Sequence, residues 1–129
     1  MPTYDSTLFV PPAPLAHVSL RNPESGTTRT DVPMLLDTGA DVTLLPRATV
    51  DDLGITALSE NRYELVGFEG QASLASAVSL EMIFVGLTFR GQFLLIEQGW
   101  GIIGRNVLNS VALILDGPRL TWNQHNAAT

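Results

Sequence analysis

Apolar runs in this sequence are short, and a turn residue cuts each one off. MLLDTG, YELVG, MIFVG, FLLIEQG and ALILDGP all pass from apolar residues into a glycine within a few positions. Runs of that length, rich in Val, Ile, Leu, Phe and Tyr and bounded by Gly, Pro, Asn and Asp, read as strands rather than long helices. An all-β chain with one or two short helices is therefore expected.

The order of elements can be read in the same way. LAHVSLR, from Leu15, partly alternates apolar and polar residues. NPESGTT is a turn cluster, and TDVPMLLD returns as a second strand, so this hairpin ends at Asp37-Thr38-Gly39. Pro46 and Gly54 bracket a short helix in PRATVDDLG. The stretch from Arg62 to Gln98 predicts three strands, divided near Gly67–Gly70 and near Gly86 or Gly91. A second short helix should contain Asn106, Val107 and Leu108. ALILDGPRLTW then reads as strand, Asp-Gly-Pro turn, strand. Residues 1–14 carry Pro2, Pro11, Pro12 and Pro14 and read as an extended arm, leaving residues 15–129 as the domain. One weak internal echo is present. MLLDTGADVTLLPRATV and FLLIEQGWGIIGRNVL share the order apolar strand, glycine-containing turn, apolar pair, short helix.

Composition narrows the function. A chain of 129 residues, 45% apolar, can bury a core as one domain. Thirteen acids against seven scattered bases give a net charge of −6, which argues against nucleic acid or an anionic membrane as partner. There are no cysteines, and His17 and His125 lack ligand-spaced partners, so no zinc site is expected; nor is any other metal or an organic cofactor implied, water being the only co-reactant of the reading below. No apolar run approaches the ~18 residues of a membrane span, and the N-terminus does not read as a signal peptide; the cytoplasm is the expected compartment, and Met1 suggests a free-standing protein.

The chemistry sits in PMLLDTGADVTLL, residues 33–45, where apolar runs enclose a carboxylate, a hydroxyl and a glycine. Alone, Asp-Thr-Gly also reads as an ordinary turn. Held rigidly beside a second carboxylate, Asp37 would share a proton with it: the ionised partner takes a proton from water and the protonated one donates to a substrate carbonyl. Thr38 can bond nearby backbone, and Gly39 lets the chain approach closely.

LLDTGAD followed some sixty residues later by IIGRN resembles the retropepsins, the aspartic proteases of retroviruses and their cellular relatives, over roughly residues 15–122. The resemblance implies a closed, barrel-like β fold that forms one half of a twofold dimer. It implies Asp37 as the catalytic aspartate, with Thr38 and Gly39 completing the loop. Ala40, Leu44, Trp100 and Ile102 would line the substrate site, and Gly67, Phe68, Glu69 and Gly70 would form a flap over it. Asp41 and Arg105 would make an ion pair within one subunit. A single Asp-Thr-Gly per chain implies that two copies meet, each giving one Asp37, with a peptide or protein as substrate. Ala40, lacking a hydroxyl to lower the aspartate pKa, suggests a mildly acidic optimum.

The rival reading is a homodimeric binding or scaffold module that kept the fold and lost turnover; a self-processing segment of a larger precursor is a third. A serine hydrolase would need a nucleophile elbow, and a phosphate-binding loop would need its lysine; neither motif occurs in the sequence.

Overall fold

A computed structural model describes residues 2–55, 58–66 and 72–125. Among these residues ten strands and two short helices follow one another. They are β1 (Tyr4–Asp5), β2 (Ala13–Arg21), β3 (Thr28–Leu36), β4 (Leu44–Pro46), α1 (Arg47–Asp52), β5 (Leu58–Val66), β6 (Ala72–Phe84), β7 (Leu87–Ile96), β8 (Gly101–Ile103), α2 (Arg105–Leu108), β9 (Leu113–Asp116) and β10 (Thr121–Gln124). The all-β expectation holds, as do both short helices. Gly86, with Val85, makes the β6–β7 turn, both with positive φ as a two-residue hairpin turn requires. Gly91 lies within β7.

The sheet closes on itself. Its order is β1-β2-β3-β8-β4-β7-β6-β5, and an added β2–β6 pairing joins Ser19–Arg21 to Glu81–Ile83. The strands β2, β3, β8, β4, β7 and β6 thus form a six-stranded mixed barrel, while β1 and β5 flank it. Long β6 makes closure possible: its first half pairs with β5 and its second half with β2.

Period-two patterning sets which side chains fill the barrel. On β2, Ala16, Val18 and Leu20 are buried while His17 is exposed; on β3, Val32, Met34 and Leu36 are buried. Leu45, Val50, Val78, Leu80, Met82 and Ile103 join them in the main core. A second, smaller cluster gathers Leu44, Ala77 and Leu94 with Val42, Ile96 and Ile102. Adjacent Leu44 and Leu45 point to different clusters, as neighbours on a strand do.

Two features tie the ends of the barrel. Glu81 is buried and accepts hydrogen bonds from Arg21 on β2, at 2.7 Å, and from Arg90 on β7. These three residues face one another across the closing strands. The C-terminal hairpin β9–β10, turned by a 3-10 segment at Gly117–Arg119, forms a separate two-stranded sheet. Its Trp122 is buried against Phe84 and donates Nε1–H to the Leu15 carbonyl at 3.0 Å. No helix among the described residues is long and apolar enough to cross a membrane.

Candidate active site

β3 runs parallel to β8, pairing Met34 with Gly101, Leu35 with Ile102 and Leu36 with Ile103. The chain leaves β3 at Asp37, whose N–H donates to the Ile103 carbonyl at 3.0 Å. The Ala40 N–H then donates back to the Asp37 carbonyl at 3.2 Å, which makes residues 37–40 a tight turn. The Gly39 N–H donates to Asp37 Oδ1 at 2.9 Å and orients the carboxylate. A Cβ on Gly39 would stand 3.1 Å from that oxygen, so glycine leaves room for this bond.

α2 holds the loop from the other side. The Arg105 N–H donates to the Ala40 carbonyl at 2.8 Å, and Arg105 Nη1 donates to the Thr38 carbonyl at 2.7 Å. Beneath them Thr43, 1% exposed, donates its hydroxyl to Asn106 Oδ1 at 2.7 Å and accepts the Gly104 N–H at 3.1 Å. Gly104 packs so closely on Val42 that a Cβ would lie 2.2 Å from the Val42 carbonyl oxygen. Backbone on both sides of the Asp-Thr-Gly turn is thus fixed by named bonds, while Thr38 and Gly39 stay exposed and Asp37 half-buried. The carboxylate is thus held by a rigid turn, with one side left open to solvent.

The expected ion pair takes another form. Among the described residues Asp41 and Arg105 are not joined as a salt bridge; Arg105 spends its guanidinium on the Thr38 carbonyl, and Asp41 is exposed. The reason is geometric: the turn aims its own carbonyl at α2, and the neutral acceptor lies within reach.

Of the expected substrate-lining residues, Ala40 lies in the turn, and Leu44 and Ile102 pair with each other and belong to the smaller apolar cluster that reaches the turn through Val42. Trp100 is half-buried, its carbonyl accepts from Gln98 Nε2, and its ring meets Phe9 edge-on at 4.9 Å. Gly67, Phe68, Glu69 and Gly70 lie outside the described residues. Sequence reasoning missed Thr43 and Phe9. Thr43, a lone hydroxyl inside an apolar run, carried a faint signal; Phe9 in the proline-rich arm carried none. Two clefts, of about 290 and 460 Å³, lie elsewhere, one along Thr28–Pro33 and the other between the arm, Phe84 and Trp122.

Comparison with known proteins agrees with this geometry. A family model described as aspartyl protease matches residues 25–107, which include the Asp-Thr-Gly turn and most of α2. Among solved structures, an inhibitor complex of EIAV protease superposes with a TM-score of 0.57 at 22% identity, covering 76% of this chain and 86% of that one. No curated protein matches in sequence. With the family model spanning well over half of its length, and with the fold of a retroviral protease, the chain belongs to the retropepsin-like aspartic proteases.

Proposed function

We propose that this chain is one subunit of a homodimeric aspartic endopeptidase, with the catalytic centre formed where two Asp37 side chains meet across a twofold axis. The observation that carries the reading is the turn itself: one Asp-Thr-Gly per chain, its backbone bonded to β8 and α2 and its outer face left open. A lone carboxylate at such a surface has no partner with which to share a proton. Two brought together cannot both ionise easily, so one stays protonated. The ionised Asp37 then accepts a proton from a water whose oxygen attacks the peptide carbonyl carbon. The protonated Asp37 donates to the carbonyl oxygen. Collapse of the tetrahedral species breaks the C–N bond as the amide nitrogen takes up a proton, leaving a carboxylic acid and an amine.

Ala40 and the Leu44–Ile102 cluster would face the peptide, with Trp100 at the margin. The segment from Gly67 to Gly70, joining the paired strands β5 and β6, would close over it. The cytoplasm remains the proposed compartment.

The test compares wild type with Asp37→Asn on a mixed peptide library between pH 3 and 8. Cleavage by wild type alone is expected. Absence of cleavage by either protein across that range would favour a binding module.

A further inference from the structure

Residues 6–12 form a loop whose two ends are pinned together. Tyr4 pairs with Pro14 and Asp5 with Ala13, where β1 meets β2. Tyr4 N–H also donates to the Leu120 carbonyl at 2.8 Å, and Trp122 N–H donates to the Pro2 carbonyl at 3.1 Å, which roots the segment on the C-terminal hairpin. Inside the loop, Asp5 Oδ1 accepts the N–H groups of Thr7, at 2.8 Å, and of Leu8, at 2.6 Å, an Asx turn that bends the chain back. The apolar residues Leu8, Phe9 and Val10 then part ways. Leu8 and Val10 are 52% and 89% exposed, whereas Phe9 is half-buried with its ring edge-on to Trp100.

The backbone around Trp100 is held firmly. Its carbonyl accepts from Gln98 Nε2 at 3.0 Å, and Glu97 bonds to Arg47 at the start of α1. Gly101 is seated so tightly that a Cβ there would run into the Leu44 carbonyl and Met34 Sδ. The indole ring is held differently. Gly99 and Gly101 flank it and carry no side chains, and neither Trp100 nor Phe9 belongs to either core cluster. Among the described residues, the ring that meets the indole is Phe9. An edge-on aromatic pair favours the docked arrangement by about two- to tenfold beyond the area it buries.

The residues proposed to line the peptide site therefore fall into two groups. Ala40 is fixed by its turn, and Leu44 and Ile102 by the smaller apolar cluster. Trp100 depends on a loop that neither core cluster includes. A wall fixed in one position discriminates between substrate side chains by their fit, whereas a wall that can swing discriminates less.

We propose that Phe9 is the positioning residue for Trp100, so that the N-terminal loop sets which substrate side chains the site selects at its margin. This rests on the protease reading above and adds to it a specificity element outside the Asp37 turn. Phe9 acts through the indole and touches no reacting atom. Phe9→Ala frees the ring, and the spread of kcat/KM across side chains at the substrate position facing Trp100 shrinks by about two- to tenfold, the margin that the ring pair supplies.

The experiment profiles cleavage of a mixed peptide library by the full chain, side chain by side chain at each position around the scissile bond, and measures acrylamide quenching of tryptophan fluorescence alongside. Trp122 is 3% exposed, so the quencher reports on Trp100. Phe9→Ala should raise the quenching constant and flatten the preference at one substrate position. Trp100→Ala should flatten the same position, and the double variant should add nothing to it. Phe9→Tyr keeps the aromatic edge and should match wild type in both readouts. Leu8→Ala, on the outward side of the same loop, should change neither. A preference profile unaltered by Phe9→Ala, a shift at a position that Trp100→Ala leaves alone, or an equal shift from Leu8→Ala would each overturn the assignment while leaving an Asp37-dependent protease intact. Quenching unchanged by Phe9→Ala would also overturn it, since the ring would then be held by something else. A wild type that cleaves no peptide would overturn the protease reading and this assignment with it.

Discussion

Thr43 and Asn106 stand 63 residues apart in sequence and share a 2.7 Å hydrogen bond. The same hydroxyl accepts the Gly104 N–H, so one buried side chain joins the strand after the Asp-Thr-Gly turn to the start of α2. Thr43→Val keeps the shape and removes the oxygen. It leaves the buried Gly104 N–H without its acceptor, which costs about 1–3 kcal/mol, while the exposed Asn106 carboxamide can turn to water. Chemical denaturation should show that loss with an unchanged m-value. Because the turn is held through the same network, kcat/KM should fall as well. A variant as stable and as active as wild type would mean that the bond carries neither role.

Gly104→Ala tests the same junction from the backbone side. Its new Cβ would sit 2.2 Å from the Val42 carbonyl oxygen and 2.9 Å from the Val42 nitrogen. Both are backbone atoms, so neither can swing aside as a flexible side chain would. Overpacking of this kind costs about 1–3 kcal/mol or more. The variant should lose several degrees of Tm and most of its cleavage activity. Gly26→Ala serves as a control for glycine replacement in general: it has open space but positive φ, so it should lower Tm modestly and spare activity.

The Asp-Thr-Gly turn and the Ile-Ile-Gly-Arg-Asn segment are legible in the sequence as motifs, and the two stretches that carry them echo each other. Met34–Leu36 pairs in parallel with Gly101–Ile103, and Leu44–Pro46 pairs in parallel with Leu94–Ile96. Each half of the echo thus gives its first strand to the second strand of the other half. Strand and turn signals are local, so β2, β3 and α1 could be placed from pattern alone, and the β6–β7 turn could be narrowed to Gly86 or Gly91. What could not be read depends on contacts between distant residues. The closure of β2 on β6 rests on the length of β6 and on Glu81 lying between Arg21 and Arg90. The partner of Arg105 is a carbonyl, and no side-chain pattern announces a carbonyl's direction. The β1–β2 pairing and the contact of Phe9 with Trp100 were hidden for the same reason, in a stretch that proline makes look featureless.

Arg105 and Asp41 separate the two accounts of that helix. If the guanidinium acts on the Thr38 carbonyl, Asp41→Ala should leave cleavage and dimer affinity close to wild type. Arg105→Ala should lower kcat/KM tenfold or more by loosening the turn. Its effect on global stability should be smaller, no more than about 1 kcal/mol, because the charge-assisted bond is solvent-exposed. Equal losses from both variants would instead restore an ion pair between them.

Glu81 gives the barrel an acid-sensitive closure. Hydrogen bonds from Arg21, and then from Arg90, hold its carboxyl below the usual carboxylate value, against the opposing effect of desolvation. A folded pKa below the unfolded one means that the ionised form favours the folded state. That contribution is fully present above the unfolded carboxylate pKa. It declines as pH drops below that value and is lost once pH falls through the lowered folded pKa. Glu81→Gln cannot ionise, so it should be less stable than wild type at neutral pH, and the gap should narrow on acidification. Thermal unfolding of both proteins from pH 7 down to pH 3 checks the sign. A gap that stayed constant or widened toward low pH would show that the two arginines act on Glu81 through packing alone.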